Sequence, residues 1–586
     1  MTDFEKYKHP NPMFCRNEWM TLNGSWDFAF DEHNCGVAEN WFAEQSFDKK
    51  INVPFVFQSQ LSGINSKEFC DVIWYKKTVD LPADWSNKRI FAHFGAIDYH
   101  AFIWVNGIFI GEHMGGYASF KLDITNAIKY DEPNIIAVRV VDRSFDRELC
   151  RGKQCWSKSS FGCWYKQYNG IWQDVWLEAV DNVYIQDFTF SPDGEKAELQ
   201  IDAVISEFEN FDDMFLLAEV ELDGKQLSKA SVKVTGHRIV IKMSIFSEED
   251  PYNGVYWWSP DSPKLYDVKL SLFKNGISCD QVMSYFGIRK LEIRDNRVML
   301  NNAPCYQKLI LFQGYYPQGF ITASGDEEIC KDIQLIKDMG FNGLRIHEKI
   351  ESARFLYWCD VIGVLVWEEM PSGYRFMEDN NIRFYNNLDE CIKRDKNHPS
   401  IITWVLFNES WGIKEIAFDK KQQYYTQAAY YMAKSLDTTR IVISNDGWEH
   451  TVSDLCTLHD YESSGDEIVK LHIRENMLLE GENNRANLLK MAYANGFTHD
   501  GKPIIISEYG GISFESDDGW GYDGKVKDEE EYLKRFKEQT EAFKSIPNVQ
   551  GYCFTQFTDV ETEQNGLLTF DRKPKVPIEK IREINK

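Results

Sequence analysis

Glu409 and Glu508 each stand where an apolar run ends. Glu409 closes IITWVLFNES, directly behind Asn408, and Glu508 closes PIIISEYGG. Short apolar, β-branched runs of this kind read as buried strands, so both carboxyls are expected at strand tips. Two carboxyls so placed suit the cleavage of a glycosidic bond. One protonates the departing oxygen while the other attacks or shields the anomeric carbon. A single glutamate after an apolar run is ordinarily a solvated loop acid. A second one in an equivalent position is what points to catalysis.

The elements that must position these acids lie in the C-terminal half. Strand-like runs occur at CYQKLILFQ, FNGLRIH, VLVWEEMP, IITWVLFNE, RIVISNDG, CTLHDYE, PIIISEYGG and GYCFTQFTD. Amphipathic segments lie between them, among them DEEICKDIQLIKDMG, acid-rich at its start and closed by Gly340, and KKQQYYTQAAYYMAKSLD. Eight strand–helix repeats over residues 290–586 predict a (β/α)8 TIM barrel, whose chemistry sits at the C-terminal strand ends. By this count Glu409 ends strand 4 and Glu508 ends strand 7. Residues 1–180 alternate with a period of two and carry Asn106-Gly107 between apolar runs, a hairpin signal. They predict an all-β sandwich, and residues 181–289 predict a second, smaller one.

Composition narrows the function classes. The net charge of −26, from 65 basic and 91 acidic residues, repels phosphate backbones, so nucleic acid is not expected as a partner. No apolar stretch reaches the roughly 18 residues of a membrane span, and MTDFEKYKHPNPMF lacks a secretory h-region. Thirteen scattered cysteines fit reduced thiols better than a disulfide framework. A cytoplasmic location is expected. Cys150, Cys155 and Cys163 cluster without a CxxC pair or a histidine pair, so buried thiols are expected there rather than zinc. No acid spacing demands a metal, and no cofactor is implied.

Taken in order, LNGSWDF, WVNGIFIGEH and NGIWQDVWLE, then WSPDSPKLY and YFGIRKLEI, then GFNGLRIH, NHPSIITWVLFNESWG and PIIISEYGG resemble glycoside hydrolase family 2 over nearly the whole chain. That family includes β-galactosidases, β-glucuronidases and β-mannosidases. The resemblance implies a jelly-roll sugar-binding sandwich, an immunoglobulin-like sandwich and a catalytic barrel, with carbohydrate as the substrate and a homo-oligomeric state. It implies that Glu409 is the general acid/base and Glu508 the nucleophile of a retaining mechanism. Tyr461 is similar in place to the tyrosine that donates to the nucleophile, and Asn408 to the residue on the sugar 2-hydroxyl. Arg345 and His347 match an arginine beside the nucleophile and a histidine near the sugar.

Two stretches depart from the commoner patterns. Phe554 stands where a tryptophan often floors the pocket. In EQNGLLTFDRKPK, Asn565 is followed by Gly566 and Leu567, without the lysine of the Asn-x-Lys motif that grips a glucuronide carboxylate. β-Galactosidase is therefore the first expectation, with β-glucuronidase, β-mannosidase and arabinosidase as rivals. An inactive carbohydrate-binding protein is the alternative of a different class, against which both acids, Asn408 and Tyr461 speak. Other candidates for the sugar are Glu369, beside Glu368 at the third strand's end, and Asn445, Asp446 and Trp448 after the fifth. His459 and Asp460 are similar cases, and Asp559, Glu561 and Glu563 follow the eighth strand. RGKQCW, Arg151–Trp156, either reaches over the barrel mouth or forms salt bridges in an acidic chain.

Overall fold

The C-terminal half folds into a barrel of eight parallel strands: Gln307–Phe312, Gly343–Ile346, Leu365–Glu369, Ile401–Val405, Ile441–Ile443, Cys456–His459, Ile504–Gly510 and Val549–Thr555, here strands 1 to 8. Hydrogen-bonded pairing runs without a break from strand 5 back through strands 4, 3, 2 and 1 to 8, 7 and 6. The computed structural model describes residues 8–43, 46–206, 211–248, 254–376, 378–474, 484, 486–487, 489–522 and 524–586. Residues 1–7, where the N-terminal stretch read for a secretory signal begins, lie outside them.

Helices return the chain after most strands. Asp326–Asp338 begins with Asp326, Glu327 and Glu328, acids that favour a helix N-terminus. It ends at Gly340, whose φ of +84° suits glycine alone. The fifth repeat differs from expectation, because Ser444–Leu455 connects strand 5 to strand 6 without a helix. Its Ser444, Asn445, Asp446, Glu449, His450, Thr451 and Ser453 are all buried. A segment that turns its polar side chains inward cannot present the apolar stripe that seats a helix on a barrel.

The N-terminal sandwich packs a six-stranded sheet against a four-stranded one. Asn106 and Gly107, both at positive φ, make the tight turn between His100–Val105 and Ile108–Met114. The immunoglobulin-like unit follows with a three-stranded and a four-stranded sheet. It is latched to the barrel through Asp360, whose carboxylate accepts from the Tyr285 hydroxyl at 2.8 Å, contacts His398 Nδ1 at 2.5 Å and accepts from the Ser400 amide at 2.8 Å. Arg16 joins the two sandwiches by donating to Glu178, Asp280 and the Ile185 carbonyl. All thirteen cysteines are unpaired. Among the described residues no helix is long and apolar enough to cross a membrane.

Candidate active site

Strand 4 delivers Asn408 and Glu409 to the barrel mouth. Glu409 and Ser410 adopt left-handed backbone conformations, φ +51° and +59°, which persist only where neighbours enforce them. Here the Glu409 amide donates to the Asp446 carbonyl at 3.0 Å and the Ser410 amide to Asn445 Oδ1 at 3.0 Å. The Ser410 hydroxyl adds a 2.5 Å bond to Glu449. Glu508 arrives from strand 7, with His459 of strand 6 opposite it in the register. Carboxylate oxygens of Glu409 and Glu508 and a ring nitrogen of His459 all lie within 4.8 Å of one another. So close an approach of one oxygen from each acid is compatible with the about 5–5.5 Å between carboxyl groups of a retaining pair.

Glu508 is gripped from two sides. Arg345 Nη1 donates to its Oε1 at 3.0 Å, and the Tyr461 hydroxyl donates to its Oε2. Tyr461 is itself stacked on Tyr522, with ring centroids 3.9 Å apart and planes at 4°, and its oxygen lies 3.3 Å from Thr555 Oγ1. Arg345, wholly buried, also binds Glu369 at 2.6 Å, Asp446 at 2.7 Å and Asn408 Oδ1 at 2.7 Å. Burial opposes its charge, yet Asp446, Glu369 and Glu508 outweigh that penalty, and its pKa lies well above the ordinary arginine value.

His459 links the two acids. Its Nδ1 lies 2.8 Å from Glu409 Oε1, and its Nε2 lies 2.8 Å from Asp446 Oδ2 and 3.5 Å from Glu508 Oε1. Burial disfavours the imidazolium, but Glu508, Asp446 and Glu409 together raise its pKa to about 10. The ring is therefore charged at neutral pH and donates from both nitrogens.

Several sequence-derived candidates meet here. Asn408 is buried, with Oδ1 taken by Arg345 and Nδ2 lacking a protein partner. His347 lies 6.0 Å from the Trp411 ring, centroid to centroid, and its pKa falls well below the usual histidine value through burial and the nearby Lys153 and Arg345. Trp448 packs edge-on against His459. Asp446 and His459, weighed as sugar-binding residues, instead partner the charged groups. Trp411, Tyr522 and Thr555 join the site without a motif that singles them out; Trp411-Gly412, two residues after the first acid, is the one local signal.

Two candidates are placed elsewhere. Glu369 is wholly buried, and its oxygens accept from Arg345 Nε at 2.6 Å and the Glu348 amide at 3.2 Å, with His347 Nδ1 3.1 Å away but outside hydrogen-bond geometry. It orients Arg345 rather than a substrate hydroxyl. Burial, less the offset from Arg345, raises its pKa to about 7. Phe554 does not floor the pocket. It packs between Tyr509, at 5.3 Å, and Phe536 of the helix Glu529–Ser545, at 4.9 Å. Successive strand residues face opposite ways, and since Thr555 faces Tyr461, Phe554 faces the helices.

Comparison with known proteins gives three matching domain descriptions: "Glycosyl hydrolases family 2, sugar binding domain" at residues 19–180, "Glycosyl hydrolases family 2" at 183–289 and "Glycosyl hydrolases family 2, TIM barrel domain" at 291–586. A β-galactosidase of Thermoanaerobacter pseudethanolicus is 30% identical over 400 residues, covering 66% of this chain and 50% of that protein. A putative β-glucuronidase of Formosa agariphila is matched over 44% of its length, so the chain spans about half the length of these two curated relatives. A β-glucuronidase of Paenibacillus borealis is 23% identical over 96% of both chains. Among solved structures, a β-glucuronidase from Ruminococcus gnavus in complex with D-glucuronic acid superposes with a TM-score of 0.79 at 19% identity, covering 98% of each chain. The fold is shared at that distance.

Proposed function

This chain belongs to glycosyl hydrolases family 2, and on that premise we propose that it is a retaining, exo-acting β-glycosidase with Glu508 as nucleophile and Glu409 as acid/base. The observation that carries the reading is the approach of these two carboxylates to within 4.8 Å at the tips of strands 7 and 4.

In the first step a Glu508 oxygen attacks the anomeric carbon, the glycosidic bond breaks, and the Glu409 proton passes to the leaving oxygen. Arg345 and the Tyr461 hydroxyl hold Glu508 in line for attack. The charged His459, bonded to Glu409, supplies a hydrogen bond that steadies the carboxylate left behind. In the second step Glu409 takes a proton from water, the hydroxide attacks C1, and the Glu508–C1 bond breaks. Asn408 Nδ2, without a protein partner, is available for a sugar hydroxyl beside the reacting carbon.

Glu508→Ala should lose at least about 10³-fold in kcat, and Glu409→Ala about 10²–10⁴-fold, both measured on nitrophenyl β-glycosides with the fold checked by circular dichroism. Azide should convert Glu508→Ala into a catalyst that releases a glycosyl azide of inverted configuration. Near-normal turnover by either variant would refute the assignment. The absent lysine at position 567 favours β-galactosides. Relatives and solved structures that align over their full length are named β-glucuronidases, and this favours β-glucuronides. A panel of both substrates, with β-mannosides and arabinosides beside them, separates these readings, and a protein that cleaves none of them belongs to the inactive, sugar-binding class. A cytoplasmic setting is proposed on the thirteen free thiols.

A further inference from the structure

The loop of residues 142–169 leaves the N-terminal sandwich and is fastened to the barrel mouth. The amides of Arg151 and Gly152 donate to the Ser372 carbonyl at 3.1 and 3.3 Å, and the Tyr374 hydroxyl donates to the Gly152 carbonyl at 2.5 Å. Trp156 packs on Tyr374 at 4.6 Å, and Trp164 packs on Trp411 at 5.6 Å. Lys153 sits between these anchors. Its own carbonyl accepts from the Tyr165 amide at 2.8 Å, and its side chain is 2% exposed.

The Lys153 ammonium lies 5.4 Å from the ring centroids of both Tyr165 and Trp411. Trp411 in turn faces His347. Burial opposes the lysine's charge, but the surrounding Cys163, Glu563, Glu508 and Glu348 outweigh it, and the side chain stays an ammonium. Its nearest carboxylate oxygen, Glu563 Oε2, is 3.8 Å away, beyond hydrogen-bond length. That oxygen already accepts from the Tyr165 hydroxyl at 2.5 Å, and Asn565 Nδ2 reaches the other at 3.4 Å. Asn565 Oδ1 is buried without a partner.

Several buried cations among the described residues are closely paired: Arg345 with three carboxylates, Arg16 with Asp280 at 2.9 Å and Glu178 at 2.7 Å, Arg572 with Asp332 at 3.0 Å, whereas Arg151, two residues before Lys153, bonds only the Asp146 carbonyl. Burying an ammonium without a hydrogen-bonded counter-charge costs several kcal/mol. A salt bridge that served only to dock two domains would close to contact. Lys153 instead stays short of Glu563, beside the Trp411 ring that faces His347 and within the field of Glu508.

We propose that Lys153, reaching in from the sandwich domain, is the specificity residue that binds the carboxylate of a uronic acid at the cleavage site, so that the substrate class is the β-uronide. Glu563 and Tyr165 are the positioning residues that hold the ammonium in place, and Asn565 Oδ1 accepts from a neighbouring sugar hydroxyl. This proposal rests on the β-glycosidase reading. It adds a charge-reading group that the barrel does not supply, since position 567 is a buried leucine.

The test compares 4-nitrophenyl β-D-glucuronide with the β-D-glucoside, and the β-D-galacturonide with the β-D-galactoside. A charge-assisted hydrogen bond predicts a kcat/KM about 10–100-fold higher for the uronide in at least one pair, expressed mainly in KM. Lys153→Met should bring that ratio to about 1, and Lys153→Arg should restore part of it. Wild-type preference for the neutral sugar in both pairs, or a ratio unmoved by Lys153→Met, overturns the proposal. If Lys153→Met fails to fold, inhibition of the wild type decides: free D-glucuronate or D-galacturonate should inhibit at least about tenfold more tightly than glucose or galactose, and equal inhibition is fatal. Cleavage of hexosides without uronide preference sinks the role of Lys153 and leaves the glycosidase reading standing. If no aryl β-glycoside is cleaved, the glycosidase reading fails, and the lysine is then judged by thermal shift with the same four monosaccharides, equal shifts counting against it.

Discussion

Tyr461 gives Glu508, the proposed nucleophile, its one side-chain hydroxyl donor among the described contacts. A hydrogen bond to a charged group is worth about 1.5–3 kcal/mol, so Tyr461→Phe should lower kcat roughly 10–150-fold. Steady-state kinetics on an activated aryl glycoside will show whether KM stays nearly level, as expected for a group that positions the attacking carboxylate. His459 makes a different prediction. Its pKa rises from 6.5 in the unfolded chain to about 10 in the fold. A raised folded pKa contributes stability that is fully present below pH 6.5 and is lost as pH climbs through about 10. The gap in denaturation midpoint between wild type and His459→Asn should therefore be widest at and below pH 6.5 and should narrow towards pH 10. A gap that does not vary with pH would mean that the fold leaves the ring's pKa unshifted.

At the scale of elements, the loop of residues 142–169 depends on Gly152. Its φ is +57°, and a Cβ there would lie 2.3 Å from the Glu348 carbonyl oxygen and 2.7 Å from the Tyr117 hydroxyl. Gly152→Ala combines a left-handed penalty of about 1 kcal/mol with a clash against fixed backbone. The loop should lift from the barrel, raising KM for the substrate while kcat falls less, because Glu409 and Glu508 stand on strands that the loop does not build. Equal kinetics in wild type and variant would show that the loop plays no part in binding. Strand alternation sets the other limit at this scale. It turns Thr555 towards Tyr461 and Phe554 towards Phe536, and it turns Glu369 inward to Arg345.

For the whole molecule the net charge of −26 matters most. An anionic substrate approaches a like-charged body, and repulsion between exposed charges is screened over about 10 Å at 0.1 M salt. The buried Lys153 is screened far less. Raising ionic strength from about 0.01 to 0.1 M, a range over which the screening length falls from about 30 to 10 Å, should increase kcat/KM several-fold for a uronide and leave a neutral hexoside nearly flat. A fall in uronide kcat/KM with salt would indicate that exposed cations guide the substrate.

The sequence by itself determined the barrel, the two sandwiches, and the residues that end strands 4 and 7, because apolar period and strand-end position are local properties that survive translation from chain to fold. Glu409 and Glu508 were legible for that reason, and Asn408, Arg345 and Tyr461 through the family resemblance of the motifs that hold them. Tertiary structure alone decided which way Phe554 points, that Glu369 is spent on Arg345, that a histidine lies between both acids, and that a lysine from the first domain packs beside Trp411 and Glu563. Those facts depend on register between neighbouring strands and on contacts between residues hundreds of positions apart, such as Lys153 with Glu563. No pattern along a single segment encodes them.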